Sequence, residues 1–262
     1  MELEEHAPTS RIRPSEVRFE AAAATHAGRR TTNADGFTID EPAGFFGVAD
    51  GMGDTRRSAV AARMALEAVG ELFVAPWAFY SFAERSASEA AERLHLGVMQ
   101  AHGRLYAPGR SKEQRIGTTF AGVVASGGWI SVAHVGDSRV HFLQRSKARL
   151  TRLTEDHTIL GDAVLRGVPH ERAAALPHAH AVTRMLGVTS AMEPDLRRQR
   201  WEPGDTVLIC TDGVSDRVAP EELASILLAV EDLGEAAEHL VGRANDLGGW
   251  DNATALLVRR LR

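Results

Sequence analysis

The sequence predicts an α+β fold: a four-layer αββα sandwich in which two antiparallel β-sheets are flanked by pairs of helices. Three observations carry this. Short runs of β-branched and aromatic residues separated by glycine turns occupy the centre of the chain. Two longer stretches with apolar residues at helical spacing precede them. Strands early, central and late do not alternate with single helices as a doubly wound parallel sheet requires. At 262 residues and 44% hydrophobic content, the chain can bury one sizeable core. A single domain over residues 15–262 is therefore expected, behind a loose tail at 1–14.

In chain order, Val17 to Thr25 reads as a strand and Gly28 to Gly36 as a polar, glycine-bounded turn carrying Arg29, Arg30, Asn33 and Asp35. A second strand, Gly44 to Ala49, stops at Asp50-Gly51-Met52-Gly53, where glycines permit sharp turns. Ser58 to Phe73 and Phe82 to Tyr106 have helical spacing and form the first helix pair. Thr118 to Ala125, Trp129 to Val135 and Arg139 to Leu143 read as consecutive antiparallel strands. From Thr154 to Ala181 the mixture of His157, His170, His178, His180, prolines and charges predicts an exposed, irregular flap. Trp201 to Cys210 is a strand running into Thr211-Asp212-Gly213. Helices over Pro220 to Leu228 and Glu235 to Leu247 and a closing strand over Ala253 to Arg259 complete the chain.

Composition narrows the class of function. Thirty Lys and Arg against 35 Asp and Glu leave a net charge of -5, which offers no field for nucleic acid or an anionic membrane. The single cysteine, Cys210, sits in an apolar strand and reads as a small buried hydrophobe, so a reducing, cytoplasmic setting is expected. An acidic start without an apolar block is not expected to act as a secretory signal, and no run of about 18 apolar residues is present to span a bilayer.

The chemistry lies at strand ends. Asp50, Asp137 in Gly136-Asp137-Ser138, Asp212 and Asp251 each follow or precede a strand. Each motif alone is a common turn signal. Together, carboxylates at neighbouring strand ends repel one another unless cations neutralise them. Oxygen ligands without a Cys or His cluster at ligand spacing favour Mg²⁺ or Mn²⁺ over Zn²⁺.

These segments occur in a telling order: Arg30-Thr31-Thr32-Asn33-Ala34-Asp35, Val48-Ala49-Asp50-Gly51-Met52-Gly53, Gly117-Thr118-Thr119 and His134-Val135-Gly136-Asp137-Ser138-Arg139. Leu153-Thr154-Glu155-Asp156-His157, Val182-Thr183-Arg184-Met185-Leu186-Gly187, Cys210-Thr211-Asp212-Gly213-Val214-Ser215-Asp216 and Trp250-Asp251-Asn252-Ala253-Thr254 follow. Over roughly residues 17 to 260 the chain resembles the PPM family of metal-dependent serine/threonine protein phosphatases, the type 2C phosphatases, in its bacterial branch.

The resemblance implies a serine/threonine phosphoprotein phosphatase that hydrolyses phosphoserine and phosphothreonine through a water bridging two Mn²⁺ or Mg²⁺ ions. It implies that Asp50 bridges both ions, Asp212 and Asp251 hold the first, and the Gly51 carbonyl helps hold the second. Asp137, Asp212 and Asp216 match a third metal site found in some members. Arg30 matches the phosphate-binding arginine, with Arg29 the neighbour to test against it, and Asp35 is expected behind the ligands, orienting metal-bound water. The expected partners are phosphorylated proteins, substrates of serine/threonine kinases, acted on by a monomer.

Two departures stand out. The family commonly carries Glu or Gln where this chain has Ala34, which predicts weaker hold on the second ion. After Gly53 bacterial relatives mostly continue Gly-His, whereas this chain has Asp54-Thr55-Arg56-Arg57, with consequences for substrate preference. Two alternatives follow: a catalytically weak phosphoprotein-binding protein on the same fold, and a phosphatase of small phosphate esters. His134 reads as packed or hydrogen-bonded, His157 as a helix-start cap or loop contact, and Trp250 as core or rim packing. Ser138 and Ser215 lack an adjacent base that would make them nucleophiles.

Overall fold

Successive side chains of a strand point to opposite faces, and in this chain that alternation sorts the apolar residues into three separate packed layers. The computed structural model describes residues 19–53, 55–74, 77–79, 85–106 and 116–261. The expected tail, the strand start at Val17, Asp54 and the helix start at Phe82 lie outside these residues. The strands are β1 (Phe19–His26), β2 (Asp35–Asp40), β3 (Phe45–Asp50), β4 (Phe120–Ser126), β5 (Trp129–Val135), β6 (Arg139–Gln144), β7 (Arg149–Arg152), β8 (Asp195–Arg200), β9 (Thr206–Cys210) and β10 (Ala253–Arg260). The helices are α1 (Arg56–Gly70), α2 (Ala87–Leu105), α3 (Ile159–Leu165), α4 (His170–Ala174), α5 (Asp212–Ser215), α6 (Pro220–Ala229) and α7 (Leu233–Asp246).

The strands form two five-stranded sheets, ordered β1-β10-β9-β6-β7 and β2-β3-β4-β5-β8, with every ladder antiparallel. Phe46 and Val48 of β3 meet Val207 and Ile209 of β9 and Leu256 of β10 between the sheets. The alternate residues turn outward: Phe45 packs under α1 and α2 with Leu66, Leu94 and Val98, and Leu208, Cys210 and Leu257 pack under α6 and α7 with Leu223 and Leu240. The result is the expected order of helices, sheet, sheet, helices. Ile209 is fully buried, so its truncation to alanine should cost about 2–5 kcal/mol.

Local signals start the helices. Thr55 caps α1 by accepting from the Ser58 amide at 3.2 Å, and Asp232 does the same for α7 from Glu235 at 2.9 Å. Pro220 opens α6, where its missing N–H costs nothing. Among the described residues no helix is long and apolar enough to cross a membrane.

Three strands depart from the sequence reading. β2 and β8 are the edges of one sheet and β7 an edge of the other, and their sequences DGFTID, DLRRQR and RLTR are largely half-buried or exposed. Edge strands shed the apolar alternation by which strands are recognised. Trp201, expected inside a strand, lies between β8 and β9, buried, its amide on the Gly128 carbonyl at 3.2 Å. The flap region contains α3 and α4, and at its start Thr154, His157 and Thr158 are buried while Glu155 is exposed.

Candidate metal centre

The acidic residues collect at one end of the sandwich because both sheets deliver strand ends there. Asp50 is the last residue of β3, its amide donating to Thr119 Oγ1 at 2.9 Å and its carbonyl accepting from the Thr119 amide at 2.9 Å and Thr118 Oγ1 at 2.8 Å. The next residue must be small: a Cβ on Gly51 would stand 2.1 Å from the Ser58 carbonyl oxygen of α1. Asp212 opens α5 directly after β9. Gly213 lets that turn press on the strand beside it, since a Cβ there would fall 1.9 Å from the Asn252 carbonyl oxygen. Asp212 and Asp251 thereby share one site, and Asp137 enters it from the turn between β5 and β6.

These groups line a cavity of about 290 Å³ whose walls include Arg30, Asp50, Gly51, Thr119, Asp137, Asp212, Asp251 and Asn252, with Met52, Val182 and Met185 supplying apolar surface. Burial pushes the Asp50 and Asp212 carboxyls well above the usual range, and repulsion from the neighbouring aspartates adds to it. Burial also raises Asp137 to about 6, with Asp156 and Asp216 contributing. Asp212 Oδ1 is buried without a hydrogen-bond partner among the described residues. Orphaned carboxylate oxygens in a mutually repelling cluster are what divalent cations satisfy, so the residues present fit the implied ions.

Asp35 and Asp216 sit outside that lining. Asp35, the first residue of β2, turns its Oδ2 to the hydroxyls of Thr211 at 2.8 Å and Thr254 at 2.6 Å. Its Oδ1 is buried without a hydrogen-bond partner among the described residues, and burial raises its carboxyl to about 6. Asp216 instead accepts from Arg139 Nη2 at 2.8 Å, and Arg139 also holds Asp156. A built-in cation thus meets Asp216, whereas Asp137 and Asp212 face the cavity. Arg30 reaches Asp251 Oδ2 through Nη2 at 2.7 Å. The Arg29 guanidinium instead lies over the Trp250 ring, 4.1 Å from its centroid.

Ala34 is buried and supplies no carboxylate. Its amide donates to Asn252 Oδ1 at 2.7 Å, and its carbonyl accepts from the Gly51 amide at 3.2 Å. Asn252 also donates through Nδ2 to the carbonyls of Ala27 at 2.9 Å and Thr32 at 3.0 Å. It fastens the segment carrying Arg30 to the segment carrying Asp251, a role sequence reasoning missed. The same holds for Thr211 and Thr254, which anchor Asp35. All three stood inside the quoted motifs, but their partners lie more than a hundred residues away.

His134, His157 and Asp195 form a second cluster of metal-ligand type. The two imidazoles stack, their centroids 4.5 Å apart and planes 26° from parallel. Stacked rings do not aim their in-plane lone pairs at one point. His134 Nε2 bonds the Glu155 carbonyl oxygen at 2.7 Å, and His157 Nδ1 accepts from the Gly136 amide at 3.1 Å. Burial lowers both pKa values, that of His134 to about 4, and His157 Nε2 lies 3.3 Å from Asp195 Oδ2. His157 is a loop contact, and the α3 cap is Thr158, accepting from the Gly161 amide at 3.0 Å.

The sequence profile of the family described as "Protein phosphatase 2C" matches residues 23–246. "Serine/threonine phosphatase stp" of Listeria welshimeri is 32% identical over 216 residues, covering 81% of this chain and 83% of that protein. Among solved structures, the S. agalactiae serine/threonine phosphatase superposes with a TM-score of 0.81 at 29% identity over 94% of this chain and all of that one. The catalytic domain of the serine/threonine protein phosphatase PstP, solved in complex with 2 manganese ions, gives 0.77 at 25% identity over 94% of this chain and 99% of that one.

Proposed function

The chain belongs to the protein phosphatase 2C family, and from that premise we propose that it is a Mn²⁺- or Mg²⁺-dependent phosphatase of phosphoserine and phosphothreonine on proteins. The observation that carries this reading is the gathering of Asp50, Asp137, Asp212 and Asp251 around one cavity, with Arg30 on its wall. Asp50, the Gly51 carbonyl, Asp212 and Asp251 would hold two ions, and Asp137 with Asp212 a third. When bound, divalent cations supply an activated water as nucleophile and positive charge against the phosphoryl oxygens.

The protein's own residues do the rest. The planar guanidinium of Arg30 offers paired donors to a phosphate, placing the phosphorus over the acidic floor and offsetting charge that builds in the transition state. For that, Arg30 exchanges Asp251 for substrate. Asp35, fixed by Thr211 and Thr254, buttresses the floor from behind and keeps Oδ1 as an acceptor toward the site. Val182 and Met185 shield one side of the cavity from water.

Ala34, which offers no side-chain oxygen, and the altered segment after Gly53 favour the catalytically weak phosphoprotein binder. The four cavity aspartates weigh against that reading. The deciding experiment is phosphate release from a phosphothreonine peptide with and without Mn²⁺, parent beside Asp212→Ala. Release should need the ion and fall by at least about 100-fold in the variant. Release indifferent to both would end the proposal, and tight peptide binding without turnover would favour the binder.

A further inference from the structure

Exposed apolar side chains stand on and beside the acidic cavity. Trp250 is 57% exposed beside Asp251, and Met52 is 43% exposed on the lining itself. A tryptophan left that open gives up much of the stabilisation that burial of a large apolar side chain provides. The indole is also held in place. The Arg29 guanidinium lies 4.1 Å from its ring centroid, and the Arg29 amide donates to the Gly249 carbonyl at 2.7 Å. One residue further along each segment, Arg30 and Asp251 join at 2.7 Å on the cavity wall. The two Arg29 contacts therefore fix the ledge beside Asp251, and a rigid amphipathic ring costs little entropy on binding.

Resting on the phosphatase reading above, we propose that Trp250, steadied by Arg29, is a specificity-determining ledge that reads a ring-bearing side chain, proline or aromatic, next to the phosphorylated residue. Trp250 is separated by one peptide bond from a wall residue of the cavity, so a side chain adjacent to a bound phosphoresidue is the substrate group within its reach. The chemistry selects the class. Arg29 already places a cation on the indole, and with Arg30 beside it a basic neighbour in the substrate meets like charge. An acidic neighbour gains only a solvent-screened attraction to Arg29, whose charge the indole already faces. An apolar ring adds contact area on the indole without a charge to desolvate.

The test compares kcat/KM for phosphothreonine peptides that differ only in the flanking residue: alanine, proline, phenylalanine, lysine or glutamate. The parent should favour proline and phenylalanine over alanine by roughly 3- to 10-fold, expressed in KM rather than kcat, as a ring contact of this kind supplies. In Trp250→Ala the ratio should fall to about one, and in Trp250→Phe most of it should return. Equal rates across the parent's peptides, a preference for lysine or glutamate, or a ring preference surviving in Trp250→Ala would overturn the ledge. Turnover of p-nitrophenyl phosphate by the parent, measured alongside, separates the two readings. With ester turnover present, a flat peptide profile condemns the ledge alone; with no turnover of ester or peptide, the phosphatase reading falls and takes the ledge with it.

Discussion

Asp35 stands directly across the β2–β3 ladder from Asp50, so two carboxylates occupy opposed positions of neighbouring strands. Like charges so placed destabilise a sheet, and both groups have raised pKa values in consequence of burial and of their neighbours. Replacing Asp35 with asparagine keeps an acceptor for Thr211 and Thr254 while removing one charge. The metal-free protein should gain about 1–3 kcal/mol near neutral pH. Mn²⁺ affinity should fall by about 10- to 100-fold. Urea unfolding and calorimetric titration measure the two, and an unchanged affinity would remove Asp35 from the site.

Ala34→Glu restores a carboxylate at a buried position beside Gly51. The half-saturating Mn²⁺ concentration for phosphate release should drop, and the metal-free protein should become less stable because another charge joins the cluster. An unaltered Mn²⁺ dependence would contradict the role assigned to this position.

Asn252→Ala removes the acceptor of the Ala34 amide and one donor from each of the Ala27 and Thr32 carbonyls. Stability should fall by at least about 1–3 kcal/mol in denaturant unfolding. Because the loosened segment carries Arg30, KM should rise more than kcat falls. A loss of stability with KM untouched would mean that the clamp does not position the arginine.

The effect of Mn²⁺ on thermal unfolding should depend on pH with a definite sign. Asp35 and Asp137 are raised to about 6 in the folded protein. Their contribution to stability is full below the ordinary carboxyl range and is lost as pH climbs through about 6 in the metal-free protein. Bound Mn²⁺ must displace those protons, so its stabilisation should be large near about pH 7.5 and small near about pH 5. A Tm increment equal at both values would exclude the aspartate cluster as the binding site.

The acidic strand ends were legible because Asp50, Asp137 and Asp212 each lie in a local motif of a strand followed by a glycine-containing turn and Asp251 just before a strand, readable without knowing what packs against them. That they would meet could be argued from strand ends sharing one edge of a sandwich, and the structure does bring Asp50, Asp137, Asp212 and Asp251 to one cavity. What stayed hidden depends on long-range pairing. The Arg139 contact of Asp216 joins residues far apart in the chain, as does the Asn252 clamp, and no periodicity announces either. Strands β2, β7 and β8 were invisible for a different reason: at sheet edges a charged sequence such as DLRRQR is favoured over an alternating apolar one.

The acidic residues are divided between the two sheets: Asp35 and Asp50 belong to one, Asp212 and Asp251 adjoin strands of the other, and Asp137 sits where the chain crosses between them. Neither sheet alone carries the whole set. A divalent ion seated there would act as a rivet through both leaves of the sandwich, and a fragment comprising half the fold would present only part of its ligands.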